Sequence, residues 1–212
     1  MWHYSRDGRP MLGFSWNDCK AEITEKMWEG YAAMNTIKEI TTPLTADVIK
    51  NLRCGDMVAI SGTIYTARDA AHKRMVAMLE NGEDMPFDFG GNIIFYAGPT
   101  PTPPGHAIGS IGPTTSGRMD AYVPTLIEAG LVAMIGKGLR TDAVKEAMVA
   151  HGGIYFAGVG GIAALMSKCV KNVEIVAFED LGTEAIRRLT VEKLPVVVAI
   201  DMEGKDIYDR EI

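Results

Sequence analysis

Nine consecutive residues, 112–120, concentrate groups that suit the binding of an anion. They comprise two glycines, one proline, three hydroxyl side chains, the cation Arg118, Met119 and the acid Asp120. The apolar stretch that follows, 121–129, has the pattern of a helix. A hydroxyl-rich turn that leads into a helix presents unpaired backbone N–H groups at the positive end of the helix dipole, and a guanidinium adds a planar fork for a carboxylate or phosphate. We therefore predict an anion site in this motif.

A structural interpretation of the same motif is that its Thr and Ser side chains only cap the following helix. The motif is preceded by a long loop, 98–111, that contains four prolines. The density of special residues in the loop and the motif together favours a functional site over a simple cap.

Arg68 is a second candidate anion ligand, at the start of a helix predicted over 67–79. An arginine in a first helical turn opposes the dipole, which indicates that it faces an anion. His72 lies four residues later on the same face. The alternative is that Arg68 and Asp69 form weak surface pairs and that His72 is an ordinary surface histidine.

Lys137 is the third candidate cation, between two glycines after a strand predicted over 131–135. Open α/β sheets place ligand groups at the carboxyl ends of their strands, although an ordinary turn lysine fits the same pattern. The glycine-rich residues 158–161 follow another predicted strand. They lack the full spacing of a dinucleotide fingerprint, so a tight strand-to-helix turn is the better interpretation.

Composition places the chain among ordinary globular proteins. It has 212 residues, 47% of them apolar and 23% charged, and a net charge of −6, which argues against a nucleic-acid surface. No apolar run has the length of a membrane span and no signal peptide is visible, so we predict a cytoplasmic protein without membrane contact. The three cysteines form no CxxC pair and predict neither a disulfide framework nor a metal site.

Predicted strands alternate with predicted helices throughout residues 36–212, which indicates the α/β class. The strands are predicted at 57–61 (ended by Gly62), 92–97, 131–135, 153–157, 173–178 and 196–200, with a further edge strand at 204–208. The helices are predicted from the Thr45 cap to Gly55, and over 67–79, 121–129, 141–151, 162–170 and 183–189, with Pro124 kinking the third or delaying its start.

Residues 1–35 are set apart from this pattern as an N-terminal appendage that contains all three tryptophans. A helix is predicted from Asn17. The appendage is either an arm that docks on a partner or a segment that packs on its own domain.

Several segments, taken in order, resemble the C-terminal domain of the class I fumarase family, which is a separate β subunit in two-subunit members. The match runs from about residue 36 to the C-terminus. The segments are Thr42-Pro43-Leu44, IYTARDAAH at 64–72, YAGP at 96–99, GPTTSGRMD at 112–120, GKG at 136–138 and GGIAA at 160–164.

The resemblance implies a swivelling β/β/α domain with a mixed sheet and flanking helices. It also implies an oxygen-sensitive 4Fe-4S cluster held by three cysteines of a partner α subunit, with none bound by this chain, and an α2β2 assembly. The implied activity is that of a hydro-lyase of the tricarboxylic acid cycle, the reversible hydration of fumarate to (S)-malate.

Site residues also follow from the resemblance. It implies that Arg68, Arg118 and Lys137 contact the substrate carboxylates and that Thr114 and Thr115 also bind the substrate. Thr114 is implied to transfer the proton, and Arg118 and Lys137 are implied to be catalytic as well. Asp69 and His72 are expected to orient Arg68 or to line the pocket. The chemistry agrees, because a chain of net charge −6 needs a compact cationic pocket to hold a dicarboxylate.

Three alternatives remain open at this stage. Within the same family, the chain is the β subunit of an L(+)-tartrate dehydratase or a related hydroxy-dicarboxylate dehydratase. From another class, it is a non-catalytic anion-binding regulatory module that uses the same turn and cations. A dinucleotide-binding enzyme built on residues 158–161 is a distant third.

Overall fold

A computed structural model describes residues 37–158 and 163–209 of the chain. Within these residues one mixed sheet contains seven strands. They are β1 (Lys38–Thr41), β2 (Met57–Thr66), β3 (Ile93–Phe95), β4 (Ala133–Gly136), β5 (Ile154–Gly158), β6 (Val170–Ala177) and β7 (Ile186–Ile200).

The sheet closes on itself through its last strand. Strands β1 to β5 pair in parallel in chain order, and β7 runs antiparallel to β2, β5 and β6. Because β7 pairs with both β2 and β5, the strands β2, β3, β4, β5 and β7 form a closed ring. The prediction of an α/β domain with a mixed sheet and flanking helices is confirmed, and the closed sheet agrees with a swivelling β/β/α domain.

The helices of the described residues lie between the strands. They are α1 (Ala46–Lys50), α2 (Asp69–Glu80), α3 (Val123–Glu128), α4 (Asp142–His151) and α5 (Ala163–Cys169), with 3-10 turns at Ser116–Arg118 and Glu179–Glu184. None of these helices is long and apolar enough to cross a membrane.

Three predicted helix-terminus features are confirmed. The Thr45 side chain caps α1 by accepting from the Val48 N–H, and Gly152 ends α4 in the left-handed conformation. Pro124 lies in the first turn of α3, so this helix starts later than residue 121 rather than kinking. The predicted end of α1 at Gly55 is wrong, because the helix stops at Lys50. The helix predicted from Asn17 lies outside the described residues.

The helix predicted over 183–189 is wrong. A 3-10 turn ends at Glu184, and the long strand β7 begins at Ile186. Residues 187–191 pair on one side with β2 and on the other with β6, so backbone pairing on both edges outweighs local helix propensity. The edge strand predicted over 204–208 is reduced to an isolated bridge between Ile200 and Asp206.

Apolar side chains form two layers, one on each face of the sheet. Successive strand residues point to opposite faces, so Phe95 and Phe156 pack inside the ring while Tyr96 and Tyr155 lie on the outer face under the helices. All four side chains are buried. Since β2 to β5 are parallel, the segments that follow them meet at one rim of the ring. This rim holds the sequence-predicted site residues.

The predicted break at Gly62 is also wrong, because β2 continues through it to Thr66. Gly62 has φ +107°, and the β2–β7 register shifts between Ile60 and Gly62, which identifies a bulge. A Cβ added there would lie 2.5 Å from the Thr42 Oγ1 and 3.0 Å from the Thr42 carbonyl oxygen.

We expect Gly62→Ala to lower the free energy of unfolding by about 2–4 kcal/mol, because the side chain adds both backbone strain and a clash. Gly55→Ala is the matched control, since its φ is +92° but its added Cβ meets no atom within 4 Å. The control is expected to lose about 1 kcal/mol. Chemical denaturation of the two variants measures the difference, and equal losses would contradict the assignment of a tight bulge.

Candidate functional site

The motif 112–120 lies between the ends of β3 and β4. The Thr114 N–H donates to the Tyr96 carbonyl at 2.7 Å, and the Lys137 N–H donates to the Thr114 carbonyl at 3.3 Å. The Ser116 N–H donates in turn to the Lys137 carbonyl at 2.9 Å, which makes a parallel bridge between Thr115 and Lys137. These backbone bonds place Thr114 and Thr115 beside Lys137 on the rim.

Close packing against glycines holds the motif on the sheet. A Cβ on Gly136 would collide with the Ser116 Oγ, and one on Gly158 would lie 2.8 Å from the Pro113 Cγ. Both glycines are buried at strand ends. Larger residues at these positions would push the motif off the rim.

Four predicted site residues present side chains with no partner among the residues that the structure describes. Thr115, Arg118 and Lys137 are exposed and Thr114 is half-buried. No hydrogen bond or ion pair within this part of the chain involves their side chains. The donors and positive charges of these four residues are therefore available to an anionic ligand.

The helix dipole contributes less to this site than the sequence predicts. A 3-10 turn at Ser116–Arg118 lies within the motif, and α3 begins only at Val123. The capping alternative fails as well, because Thr115 makes no side-chain cap bond and the Ser116 hydroxyl pairs with the Tyr155 hydroxyl at 2.8 Å. The site depends on side-chain charge rather than on a helix terminus.

Arg68 lies on the same rim, at the N-cap of α2 and beside Gly98. Its Nη2 is 3.2 Å from the Glu184 Oε1 and 3.7 Å from the Asp69 Oδ1. The second oxygen of Glu184 accepts from the Ala70 N–H at 3.0 Å. Glu184 thus holds the Arg68 side chain, while Asp69 is a weaker neighbour.

Sequence reasoning missed Glu184. It is 114 residues from Ala70 in the chain and fell in a helix that does not exist. No local sequence pattern connects Glu184 to Arg68, because the contact arises only when β7 closes the ring.

His72 is fully buried rather than on the helix surface. Its Nδ1 is 2.8 Å from the Arg68 carbonyl oxygen, and its ring meets Tyr96 edge to face at 5.2 Å. Burial lowers the pKa of His72 to about 4, and the positive charge of Arg140 contributes in the same direction. A neutral His72 therefore supports the backbone at Arg68 and does not face solvent.

Beneath the rim lies a layer of buried polar groups that sequence analysis did not assign. The Asp120 carboxylate accepts from the Arg140 Nε at 2.8 Å and from the Thr141 N–H at 2.7 Å. The Tyr155 hydroxyl lies 2.8 Å from the Ser116 Oγ and donates to the Gly138 carbonyl at 3.0 Å. Of these groups, Asp120 and Ser116 belong to the motif 112–120, whereas Arg140 and Tyr155 lie outside it.

The described cysteines do not converge on one point. The Cys54 Sγ is 3.6 Å from the Ala199 carbonyl oxygen, and the Cys169 Sγ is 3.7 Å from the Lys193 carbonyl oxygen. In residues 37–158 and 163–209 no group of three or more His, Cys, Asp or Glu side chains is arranged to hold a metal. These residues do not fit the ligand set of an iron–sulfur cluster, and Cys19 lies outside them.

Because of His72, we expect the free energy of unfolding to decrease as the pH is lowered from about 6.5 to about 4. The unfolded chain, with the ordinary histidine pKa of 6.5, binds a proton in this range that the folded chain, with a pKa of about 4, excludes. Lowering the pH from 7 to 5 should therefore reduce the contribution of His72 to the free energy of unfolding by about 2 kcal/mol.

Denaturant unfolding at the two pH values measures the loss. His72→Asn should be less stable at pH 7 but should lack this part of the pH dependence. His151→Asn, at an exposed position at the end of α4, is the control that should keep it. An unchanged pH slope in His72→Asn would contradict the neutral, buried state of His72.

Comparison with known proteins identifies the family. A model described as "Fumarase C-terminus" matches residues 15–211, so the match begins inside the segment set apart as an appendage. The chain is 41% identical over 160 residues to "Fumarate hydratase 2" of Leishmania major, which covers 74% of this chain and 28% of that protein. It is 40% identical over 155 residues to "Fumarate hydratase class I, aerobic" of Escherichia coli strain K12, covering 72% and 28%.

A shorter relative is covered almost completely. The chain is 39% identical over 172 residues to "Putative L(+)-tartrate dehydratase subunit beta" of Methanocaldococcus jannaschii, which covers 78% of this chain and 88% of that protein. By contrast, the chain spans little more than a quarter of the length of the fumarate hydratases. On the family match and these identities, the chain belongs to the fumarase C-terminus family.

Proposed function

We propose that this chain provides the cationic half of the active site of a hydro-lyase that reversibly hydrates fumarate to (S)-malate. The observation that carries the proposal is that Arg118, Lys137, Thr114 and Thr115 lie on one rim with side chains unpaired among the described residues, and that Arg68 lies on the same rim beside Gly98. Membership in the fumarase C-terminus family supports the reaction class.

Charge balance explains why the site needs several cations. The substrate carries two carboxylates, and removing a proton beside one of them builds further negative charge in the transition state. Preorganised cations stabilise such charge without reorganising during the reaction. Arg118 offers a bidentate fork to a carboxylate, while Lys137 acts as a point charge. In a chain of net charge −6, these groups make a local field opposite to the overall one.

Arg68 differs from the other two cations because it is already paired with Glu184. This ion pair fixes the guanidinium beside Gly98 and leaves about a fifth of the side chain exposed. We propose that Arg68 contacts a substrate carboxylate through its free face, and that Asp69 and His72 position it.

Thr114 is the proposed proton-transferring residue. Thr114 is half-buried, and its backbone is fixed by bonds to Tyr96 and Lys137. A threonine hydroxyl is a poor base at its ordinary pKa, so the role requires nearby cations that stabilise the alkoxide.

The rest of the active site would come from a partner. The thiols of the described residues do not form a cluster site, so we propose that a 4Fe-4S cluster is held by an α subunit that docks on the rim. When bound, this cluster would supply a Lewis acid for the substrate hydroxyl. The partner would also exclude water from the exposed cations, which strengthens their interaction with the substrate.

A second candidate is the β subunit of a tartrate dehydratase or a related hydroxy-dicarboxylate dehydratase. The observation behind it is that the chain spans most of the relative named as such a subunit. The same cations and the same hydroxyl would serve either substrate, since both carry two carboxylates. A non-catalytic regulatory module is the alternative from another class.

Anaerobic assay of this chain alone and mixed with a cluster-bearing partner tests the proposal. Fumarate hydration that appears only in the mixture is the expected result, because half the site lies on each unit. Turnover of tartrate but not of fumarate would transfer the assignment to the second candidate. No turnover of any dicarboxylate with an intact cluster, together with dicarboxylate binding by this chain alone, would favour the regulatory module.

We expect Arg118→Ala to lower kcat/KM at least 1000-fold in the assembled enzyme, because a charge-assisted fork to the substrate is lost. Arg118→Lys should restore only a small part of the lost kcat/KM, since the ammonium cannot bind a carboxylate in a bidentate manner. Arg53→Ala is a matched control, because Arg53 is an exposed arginine that precedes β2 and so lies at the other end of the ring. Near wild-type turnover in folded Arg118→Ala would overturn the assignment.

A further inference from the structure

The two exposed cations of the rim lie on separate segments of the chain. Arg118 is in the 3-10 turn within the motif, and Lys137 follows β4. Neither side chain is held by a hydrogen bond or an ion pair among the described residues. Recognition of a small dicarboxylate requires a fixed distance between its charge partners, so the backbones of these segments must be held together from below.

Asp120 connects the segment that carries Arg118 to the segment that carries Lys137, on the buried side of the rim. It lies two residues after Arg118, and both of its carboxylate oxygens are bonded to the segment that follows Lys137, one to the Arg140 Nε and the other to the Thr141 N–H. The side chain of Arg140 is fully buried and that of Asp120 is 5% exposed. A two-point bond from one carboxylate fixes both distance and orientation.

Arg140 is itself held in place by aromatic rings. Its guanidinium lies 5.3 Å from the Tyr96 ring centroid and 5.0 Å from that of Tyr155. Tyr96 is the residue whose carbonyl accepts the Thr114 N–H. The Asp120–Arg140 pair therefore connects the proposed proton-transferring residue to the same rigid unit.

Tyr155 supplies a second link between the two segments. Its hydroxyl contacts the Ser116 Oγ and the Gly138 carbonyl, which are residues adjoining the Arg118 turn and Lys137. Burial raises the pKa of Tyr155, so the hydroxyl keeps the proton that it donates to Gly138. Two links at different points of the same pair of segments prevent rotation of one against the other.

We propose that Asp120, through Arg140 and the Thr141 N–H, and Tyr155, through Ser116 and Gly138, are positioning residues that set the spacing of Arg118 and Lys137 for a dicarboxylate. The inference rests on the proposed function. A buried ion pair is a weak source of stability, since the desolvation of both ions offsets their attraction. Its location beneath the two cations is explained by a requirement for fixed geometry.

The test compares Asp120→Asn and Tyr155→Phe with Asp206→Asn in the enzyme assembled with its partner. Asp206 is the matched control, because its buried carboxylate pairs with Lys145 at 2.6 Å but at the C-terminal segment rather than beneath the rim. We expect kcat/KM for fumarate to fall 30-fold or more in Asp120→Asn and about 10-fold in Tyr155→Phe, with a raised KM in each. Asp206→Asn should lose thermal stability and stay within two-fold of wild-type kcat/KM.

A double-mutant cycle separates positioning from a general loss of structure. If Asp120 acts through Arg118, Asp120→Asn should reduce kcat/KM less than three-fold in the Arg118→Ala background. Full additivity of the two effects would overturn the proposal. So would wild-type kcat/KM in Asp120→Asn.

Amide hydrogen exchange of the chain provides a readout that does not require turnover. We expect residues 116–118 and 137–138 to exchange faster in Asp120→Asn than in Asp206→Asn, because only the first loses the link. Equal exchange in the two variants would overturn the positioning role. If the wild-type mixture turns over no dicarboxylate while exchange responds as expected, the proposed function fails and the link between the segments stands.

Discussion

The pairing of β7 with both β2 and β5 is the constraint on which the rest of the structure depends. It turns a run of parallel strands into a closed ring, with an apolar layer inside and another between the ring and the helices. Closure leaves the carboxyl ends of the parallel strands at one rim. Residues that are far apart in the chain, such as Arg68 and Lys137, come to the same rim because β2, β3 and β4 pair in parallel. The 3-10 turn that carries Glu184 immediately precedes β7, so the position of β7 also places this acid next to Arg68.

The rim combines an exposed layer of charge with a buried layer of polar contacts. Arg118 and Lys137 reach into solvent, where a partner and a dicarboxylate can approach them. Beneath them, the hydrogen bond between Asp120 and Arg140 is buried, and the bond from Tyr155 to the Gly138 carbonyl is partly buried. In a low-dielectric interior such bonds are stronger than in water, although the Arg140 Nη2 has no hydrogen-bond partner among the described residues. In the proposed site the exposed layer would provide affinity and the buried layer would provide spacing.

An incomplete site fits this division. The cations stand on a rigid support, yet they are open to solvent and the described thiols do not form a cluster site. Water would screen the cations strongly in the isolated chain. The proposed partner, by covering the rim, would exclude this water and so strengthen the interaction of the cations with an anion.

The amino-acid sequence by itself determined the α/β class, the Thr45 cap, the Gly152 stop and the group of candidate residues around 112–120. These depend on local signals and on motif resemblance, which need no knowledge of distant contacts. The predictions from sequence were wrong at Gly62 and at 183–189. There the pairing of β7 with β2 and β6 determines the backbone conformation. The partners Glu184, Arg140 and Tyr155 were decided by tertiary structure alone. Ala70 and Glu184 are 114 residues apart, and Ser116 and Tyr155 are 39 apart, so their contacts exist only because ring closure and buried packing bring them together.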